Sequence, residues 1–577
     1  MRKRLSSEHF LKESPSHSSR RHSRRGKKAK KSSSDAPQVG EIALSKKEIA
    51  AQKRKAAKER QAFIQAFSIA ASIGAVIAII LFFVKDLKLA IAGGGGIVVL
   101  ALSYKYPRSA LWAFLLYLPF SGTVTYWIGG GNPLFQLAKD GFFYPAMLAL
   151  FLELKRHQKS LIVPKSLTIP LCCILFSCLL TFVLSNAAQQ FSADPQGKPI
   201  VLGIWGFKVL LGYFPLITCT YYLLDNKKKF LWFVRTHIVL VIICCFLGFV
   251  QYMMLKTGRC AGTDNLVGED LFKATLDAKC LVGGSLLYSP SQGVIRLPGT
   301  FVAPWQWAWF LIGNAFFTFA SAFGDPSLRW QFVSFVAMAL VFLNAVISGQ
   351  RIALLIIPVV ILGLIFFTGQ FAKVKRFIPI AGGIALLSFG AMTFFPEIIQ
   401  QRIDSAIDRW NAAPPTEFIA HQFEFTSKGQ EGIWGNGLGR GTNSGRTFGK
   451  TKLIEIYYAK LLYEIGPLGV IAFLIFVTAI TVSTFKAYRS VKDKNLRSYG
   501  STFWCFILFI SYQTYYYPLD VDPVNIYYWV LAGAILRLPE IDREERDKVR
   551  EFAEGEESPP KKRKRKRRIG FSSSVNV

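Results

Sequence analysis

Apolar runs of about 18 residues or more recur along this chain, each long enough to cross roughly 30 Å of hydrocarbon. They dictate the fold class, because a backbone in lipid must satisfy its own polar groups and does so most simply as helix. Expected spans fall at 63–84, 87–104, 109–126, 140–154, 166–185, 201–224, 230–254, 304–323, 330–348, 352–369, 377–395, 457–484, 499–516 and 525–538, fourteen in all, of which the third, fourth and last are short or carry polar residues. The expected fold is an all-α polytopic membrane protein. A hydrophobic share of 51% sits beside a formal net charge of +34, a combination unusual in a soluble domain. Segregation reconciles the two. Residues 1–62 hold nineteen Lys/Arg against six Asp/Glu, and Lys561 to Arg568 is an unbroken basic run.

The domain organisation follows from this. Residues 1–62 form a basic tail, rich in Ser, Lys and Arg over its first 50 residues and without apolar period. The segment from Lys46 to Gln61 is a good helix former and is expected to prolong the first span. Residues 63–540 form the membrane domain, and 541–577 a second charged tail. With the N-tail inside, the basic clusters Lys155/Arg156/Lys159, Lys227/Lys228/Lys229, Lys373/Lys375/Arg376 and Lys486/Arg489/Lys492/Lys494/Arg497 all fall inside. An even number of spans returns the C-tail to the cytoplasm. The tails then read as contacts with the anionic inner leaflet, in preference to nucleic acid. The location expected is the plasma membrane.

Two segments on the outer side, 255–303 and 396–456, are too long to be simple connections. The first holds Cys260 and Cys280, which face an oxidising compartment and are expected to pair, two free thiols being the alternative. The second holds IIQQRIDSAIDRW, whose helical period suggests a helix lying on the membrane surface. Nine cysteines without a CxxC and six histidines, three of them in the N-tail, argue against zinc or haem. No cofactor is expected.

Four clusters carry possible chemistry, all expected outside or at the outer end of a helix. They are RLPGTFVAPWQWAWF from Arg296, SGQRIALL around Arg351, IWGNGLGRGTNSGR with Arg440 and Arg446, and IEIYYAKLLYEIGPLG with Glu455 and Glu464. Arginine stays charged and binds phosphate oxygens in pairs. Glycine-rich backbone can approach an anion and donate amide hydrogens. A carboxylate at the interface can take a proton from a sugar hydroxyl. The plainer readings stand beside these. Arg296 and Arg351 can anchor to lipid headgroups, the glycines can be a flexible loop, and Glu455 can answer a helix dipole. Glu464, Lys208 and the pair Lys139/Asp140 lie at membrane depth, where ionisable groups are rare without a partner or a cavity. Ion pairs holding helices together are the plain reading for them.

At these clusters the sequence resembles the O-antigen ligase and Wzy-type polysaccharide polymerase superfamily. RLPGTFVAPWQWA resembles its Arg-x-x-Gly-Thr-Phe-x-x-Pro stretch, ISGQRIALL its Ser-x-x-Arg turn, and GIWGNGLGRG the glycine stretch of its large outer loop. EIYYAKLLYEIGPLG resembles the following helix, with Glu464, Gly466 and Gly469 at its Glu-x-Gly-x-x-Gly positions, and KDGFFYPAMLAL its early Lys-Asp helix. The long basic tails are similar to those of the cyanobacterial branch, which includes hormogonium polysaccharide biosynthesis proteins. The resemblance spans roughly 63–540 and rests on shared order.

It implies a membrane-embedded glycosyltransferase of GT-C-like architecture that needs no metal. The implied donor is a saccharide on polyprenyl pyrophosphate, and the acceptor a second saccharide. Arg351 and Glu455 would carry catalysis. Arg296, Arg440, Arg446, Lys208 and Glu464 would bind pyrophosphate or glycan, and other export components would be partners. Ligases of the family carry His-Asn after the large loop, where this chain has Glu455 and Ile456, and His421 lies too far upstream to substitute. The departure leans toward a polymerase. A ligase, a lipid or polysaccharide transporter and a secretion-complex scaffold remain the alternatives.

Overall fold

The computed structural model describes residues 46–84, 87–195, 197–268, 271, 275–290, 293–369, 382, 393, 396–412, 414–430 and 432–557. Residues from Arg54 on form one compact unit. In chain order the helices are α1 (Lys46–Val84), α2 (Leu87–Lys105), α3 (Pro107–Ile128), α4 (Ala138–Arg156), α5 (Lys165–Gln190), α6 (Pro199–Leu223) and α7 (Lys227–Lys256). A short hairpin, β1 (Leu287–Ser289) and β2 (Val294–Arg296), precedes α8 (Pro304–Gly324), α9 (Leu328–Ile347) and α10 (Arg351–Phe367). Then come α11 (Pro396–Ala412), α12 (Pro415–Lys428), α13 (Tyr457–Ser490), α14 (Lys494–Tyr512) and α15 (Val524–Glu557).

The chain is a helical membrane protein. Among the described residues eight helices are long and apolar enough to cross a membrane, namely α1 from Lys53, α3, α5, α6, α7, α8, α9 and α13. Leu89–Lys105 and Arg351–Phe367 are shorter apolar helices. Where the fourth and the last two spans were expected, the chain forms helices α4, α14 and α15, but their composition is more polar. The span expected at 377–395, the basic cluster at 373–376 and the tails before 46 and after 557 lie outside the described residues. The segment from Lys46 is one continuous helix with the first span.

The bundle is built around α8 and the first half of α15. Helix α8 is apolar on all sides and buried along its whole apolar window, as such a helix must be. It packs against α7, α9, α10 and α14. Residues 524–535 of α15 are likewise buried, against α13, α14 and the second half of α6.

The two ends of the bundle are polar in different ways. At one end, ion pairs tie helix termini together. Arg235 donates to both oxygens of Asp325 at 2.9 and 2.8 Å, and Tyr499 adds a third donor at 3.2 Å. Asp493 caps α14, accepting from Asn495 N and Leu496 N, and pairs with Lys227 at 2.8 Å. Burial alone would raise the Asp493 carboxyl, but Lys227 and the two backbone amides hold it below its usual 3.8. A depressed carboxyl contributes stability above its unfolded pKa and loses it as pH falls through the folded one. Asp493→Ala is therefore expected to cost about 1–2 kcal/mol near neutrality. The difference from the parent should shrink below pH ~4 in thermal unfolding of the detergent-solubilised protein.

Candidate functional site

The opposite end gathers the C-termini of α7, α9 and α14 with the N-termini of α8, α10, α13 and α15. Arg296 closes β2, in register with Leu287. The next residue, Leu297, donates its N–H to Ser348 O at 2.9 Å, which pins the strand to the turn between α9 and α10. Gly349 makes that approach possible. Its φ is +74°, and a Cβ there would sit 3.3 Å from the Arg296 Cα. Arg351 opens α10 two residues later.

Glu455 arrives from the other side. Its segment runs antiparallel to the chain after α14, with Ile456 bridged to Tyr515. Tyr457 N donates to Thr514 O at 2.6 Å, and Tyr516 N to Glu455 O at 2.9 Å. Gln422 of α12 accepts from Glu455 N at 3.1 Å. Phe418, Ile419 and Phe423 of the same helix cover Ile454, Ile456 and Ala459.

These pieces place Arg351, Glu455, Tyr516 and Tyr517 each within electrostatic reach of Arg296, and Tyr517 within reach of Glu455. All five are half-buried. Burial lowers the Arg296 guanidinium from its usual range, with Arg351 adding to the effect and Glu455 opposing it. Burial and the Glu455 charge raise the Tyr517 phenol, which therefore stays protonated at neutral pH. Arg296 Nε is buried and has no hydrogen-bond partner among the described residues. Two guanidinium groups beside one carboxylate can hold a phosphate-like anion and still offer a base to a nearby hydroxyl.

The loop that carries Arg296 is fastened from behind. A disulfide joins Cys260 and Cys280, whose Cα atoms are 5.7 Å apart. Gln251, buried at the end of α7, donates to Cys280 O at 3.0 Å and to Gly299 O at 3.2 Å, and accepts from Gly299 N at 3.0 Å. Gln251→Leu strips three buried backbone groups of their partner, at about 1–3 kcal/mol for each that stays unsatisfied. The expected result is a lowered unfolding temperature, read by calorimetry.

Of the remaining expected residues, Arg440, Glu464 and Lys208 make contacts within the scaffold. Arg440 donates to Gln189 Oε1 through Nε at 3.0 Å and Nη2 at 2.6 Å, and to Lys450 O through Nη1 at 3.0 Å. It clasps the glycine loop to α5, a contact the sequence did not suggest. Glu464 does the same from α13. Its Oε1 accepts from Gly441 N at 2.8 Å and Thr442 Oγ1 at 2.9 Å. Gly466 keeps that helix against the loop. With φ +67°, it lies so near Ile433 O that a Cβ would stand 2.0 Å away. Lys208 pairs with Asp140 at 2.7 Å, and Tyr213 donates to the same carboxylate at 2.5 Å. Arg446 is exposed on the 3-10 turn Asn443–Thr447.

Sequence reasoning passed over the loop 513–523. Asp520 pairs there with Lys460, and Asp522 with Lys139. Tyr516 and Tyr517, just upstream, have left-handed φ values of 58° and 35°. Three successive tyrosines followed by two acids in an otherwise uncharged loop were the available signal.

No protein-family model matches the chain, and no curated protein matches it.

Proposed function

We propose that this chain is a membrane-embedded glycosyltransferase of exopolysaccharide biosynthesis, polymerising saccharides delivered on polyprenyl pyrophosphate. The observation that carries the reading is the convergence of Arg296, Arg351 and Glu455 at one end of the helical bundle. These residues come from three separate stretches of sequence and have the charges that this reaction needs.

An acceptor hydroxyl oxygen attacks the anomeric carbon of the donor, and Glu455 takes its proton. The bond from that carbon to the pyrophosphate oxygen breaks, and negative charge grows on the leaving group. Arg351 and Arg296 face that charge, so they stabilise the transition state more than the ground state. The reaction energy resides in the lipid-linked donor. Arg446, exposed on the glycine loop, is assigned to glycan contact, while Arg440, Glu464 and Lys208 shape the scaffold. Loop charge supports the topology proposed here, with fourteen spans in a GT-C-like arrangement, both termini cytoplasmic and the site on the outer face of the plasma membrane. The basic tails hold the inner leaflet.

The test replaces Arg351 and Glu455 one at a time, confirms membrane insertion, and measures the size distribution of exported polysaccharide. Short repeat units are the expected product. Full-length glycan left unattached would make the protein a ligase instead. Normal glycan in both variants would sink the catalytic assignment and favour a transporter or scaffold.

A further inference from the structure

Tyr516 and Tyr517 adopt a backbone conformation that bulky residues avoid. Such strain persists only where the surroundings over-determine it, and it concentrates at functional sites. The surroundings here are unusual. Upstream, the Tyr516 amide is bonded to the carbonyl of Glu455 and Tyr457 N to Thr514 O, so the loop is stitched to the backbone of the proposed base. Downstream, two buried ion pairs hold it. The side chains of Lys460 and Asp520 are 3% and 9% exposed, and those of Lys139 and Asp522 are 11% and 19% exposed. Buried pairs of this kind add little net stability and are better suited to fixing one geometry. Four charges thus brace one short loop, and what the loop presents is a pair of tyrosines.

Both rings are half-buried. Tyr515 lies edge-on against Tyr516 with centroids 4.4 Å apart, and Phe418 backs Tyr515 at 5.7 Å, so the platform is supported from behind. Tyr517 lies within electrostatic reach of Glu455, Asp520 and Arg296. An aromatic face suits the C–H face of a pyranose ring, and a phenol donates to its hydroxyls. A sugar resting there would present a hydroxyl to Glu455, with Arg296 within electrostatic reach of both tyrosines.

We propose that Tyr516 and Tyr517 form the acceptor-saccharide subsite, presented by a loop braced on Lys460 through Asp520 and on Lys139 through Asp522. This rests on the glycosyltransferase reading above.

The test uses the full chain in nanodiscs. The probe is the repeat-unit oligosaccharide isolated from cells carrying Arg351→Ala, used as acceptor with its lipid-linked form as donor. Tyr516→Ala and Tyr517→Ala are expected to raise the KM for the oligosaccharide about tenfold while the KM for the donor stays unchanged. Tyr516→Phe and Tyr517→Phe, which keep the rings and so the packing, should show smaller rises confined to the same constant. Equal loss for donor and acceptor in the Ala and Phe variants alike would reveal a merely structural loop and overturn the proposal, as would an unchanged acceptor KM. If Arg351→Ala cells accumulate no repeat unit, the glycosyltransferase reading itself falls. If they do and the tyrosine variants behave like the parent, only the subsite falls.

Discussion

Arg351→Ala is expected to lower turnover about 10²–10³-fold, the usual effect of deleting one preorganised group that faces developing charge. Binding of the donor should change less than turnover, because pyrophosphate gains charge only as the glycosidic bond breaks. Arg351→Lys should recover little, since an ammonium lacks the planar fork that grips two phosphate oxygens. Glu455→Gln removes the proton acceptor while keeping the shape, and a loss of about 10²–10⁴-fold is expected. The two variants should not multiply, because both groups serve one transition state. Initial rates of glycosidic bond formation across the single and double variants check this. Arg296 completes the pair of cations, and its buried Nε makes it the residue most sensitive to movement of β2.

A large loss of stability is expected from Lys460→Met. Lys460 pairs with Asp520 and lies 3.8 Å from Glu464. Removing it leaves two buried carboxylates facing each other, and breaking such a pair costs about 3–5 kcal/mol. Glu464 keeps its bonds from Gly441 and Thr442, so the glycine loop should hold while the loop at 513–523 loosens. Lys460→Met combined with Asp520→Asn removes one of the two carboxylates, leaving Glu464 with its bonds from Gly441 and Thr442, and should regain part of the loss. Thermal unfolding of the purified proteins in detergent reads both values, with no recovery in the double variant as the adverse result.

These two variants divide what could be read from the sequence. The helices were legible because lipid forces each spanning segment to announce itself as a long apolar run, and every described expected span corresponds to a helix. Arg296, Arg351 and Glu455 stood out in the sequence because each lies in a segment leading into or opening an apolar helix, and the structure brings those segments to one end of the bundle. The loop at 513–523 was not. Its meaning depends on Lys460, 60 positions away, and Lys139, 383 positions away, and no local pattern encodes such pairings. The clasp made by Arg440 was hidden for the same reason, since its partner Gln189 lies 251 positions upstream. A glycine-rich stretch with an arginine looks alike whether it awaits an anion or is clasped to a neighbouring helix.

The central claim is that Arg296, Arg351 and Glu455 form one glycosyl-transfer site working on a pyrophosphate-linked donor. It is tested most directly by reconstituting the purified full chain in liposomes with the lipid-linked repeat unit and EDTA. Free polyprenyl pyrophosphate and new glycosidic bonds are then counted together. One pyrophosphate released for each bond formed, at a rate that collapses in Arg351→Ala and in Glu455→Gln, is the expected result. Bond formation at the parental rate in both variants, or none at all in the parent protein, would contradict it.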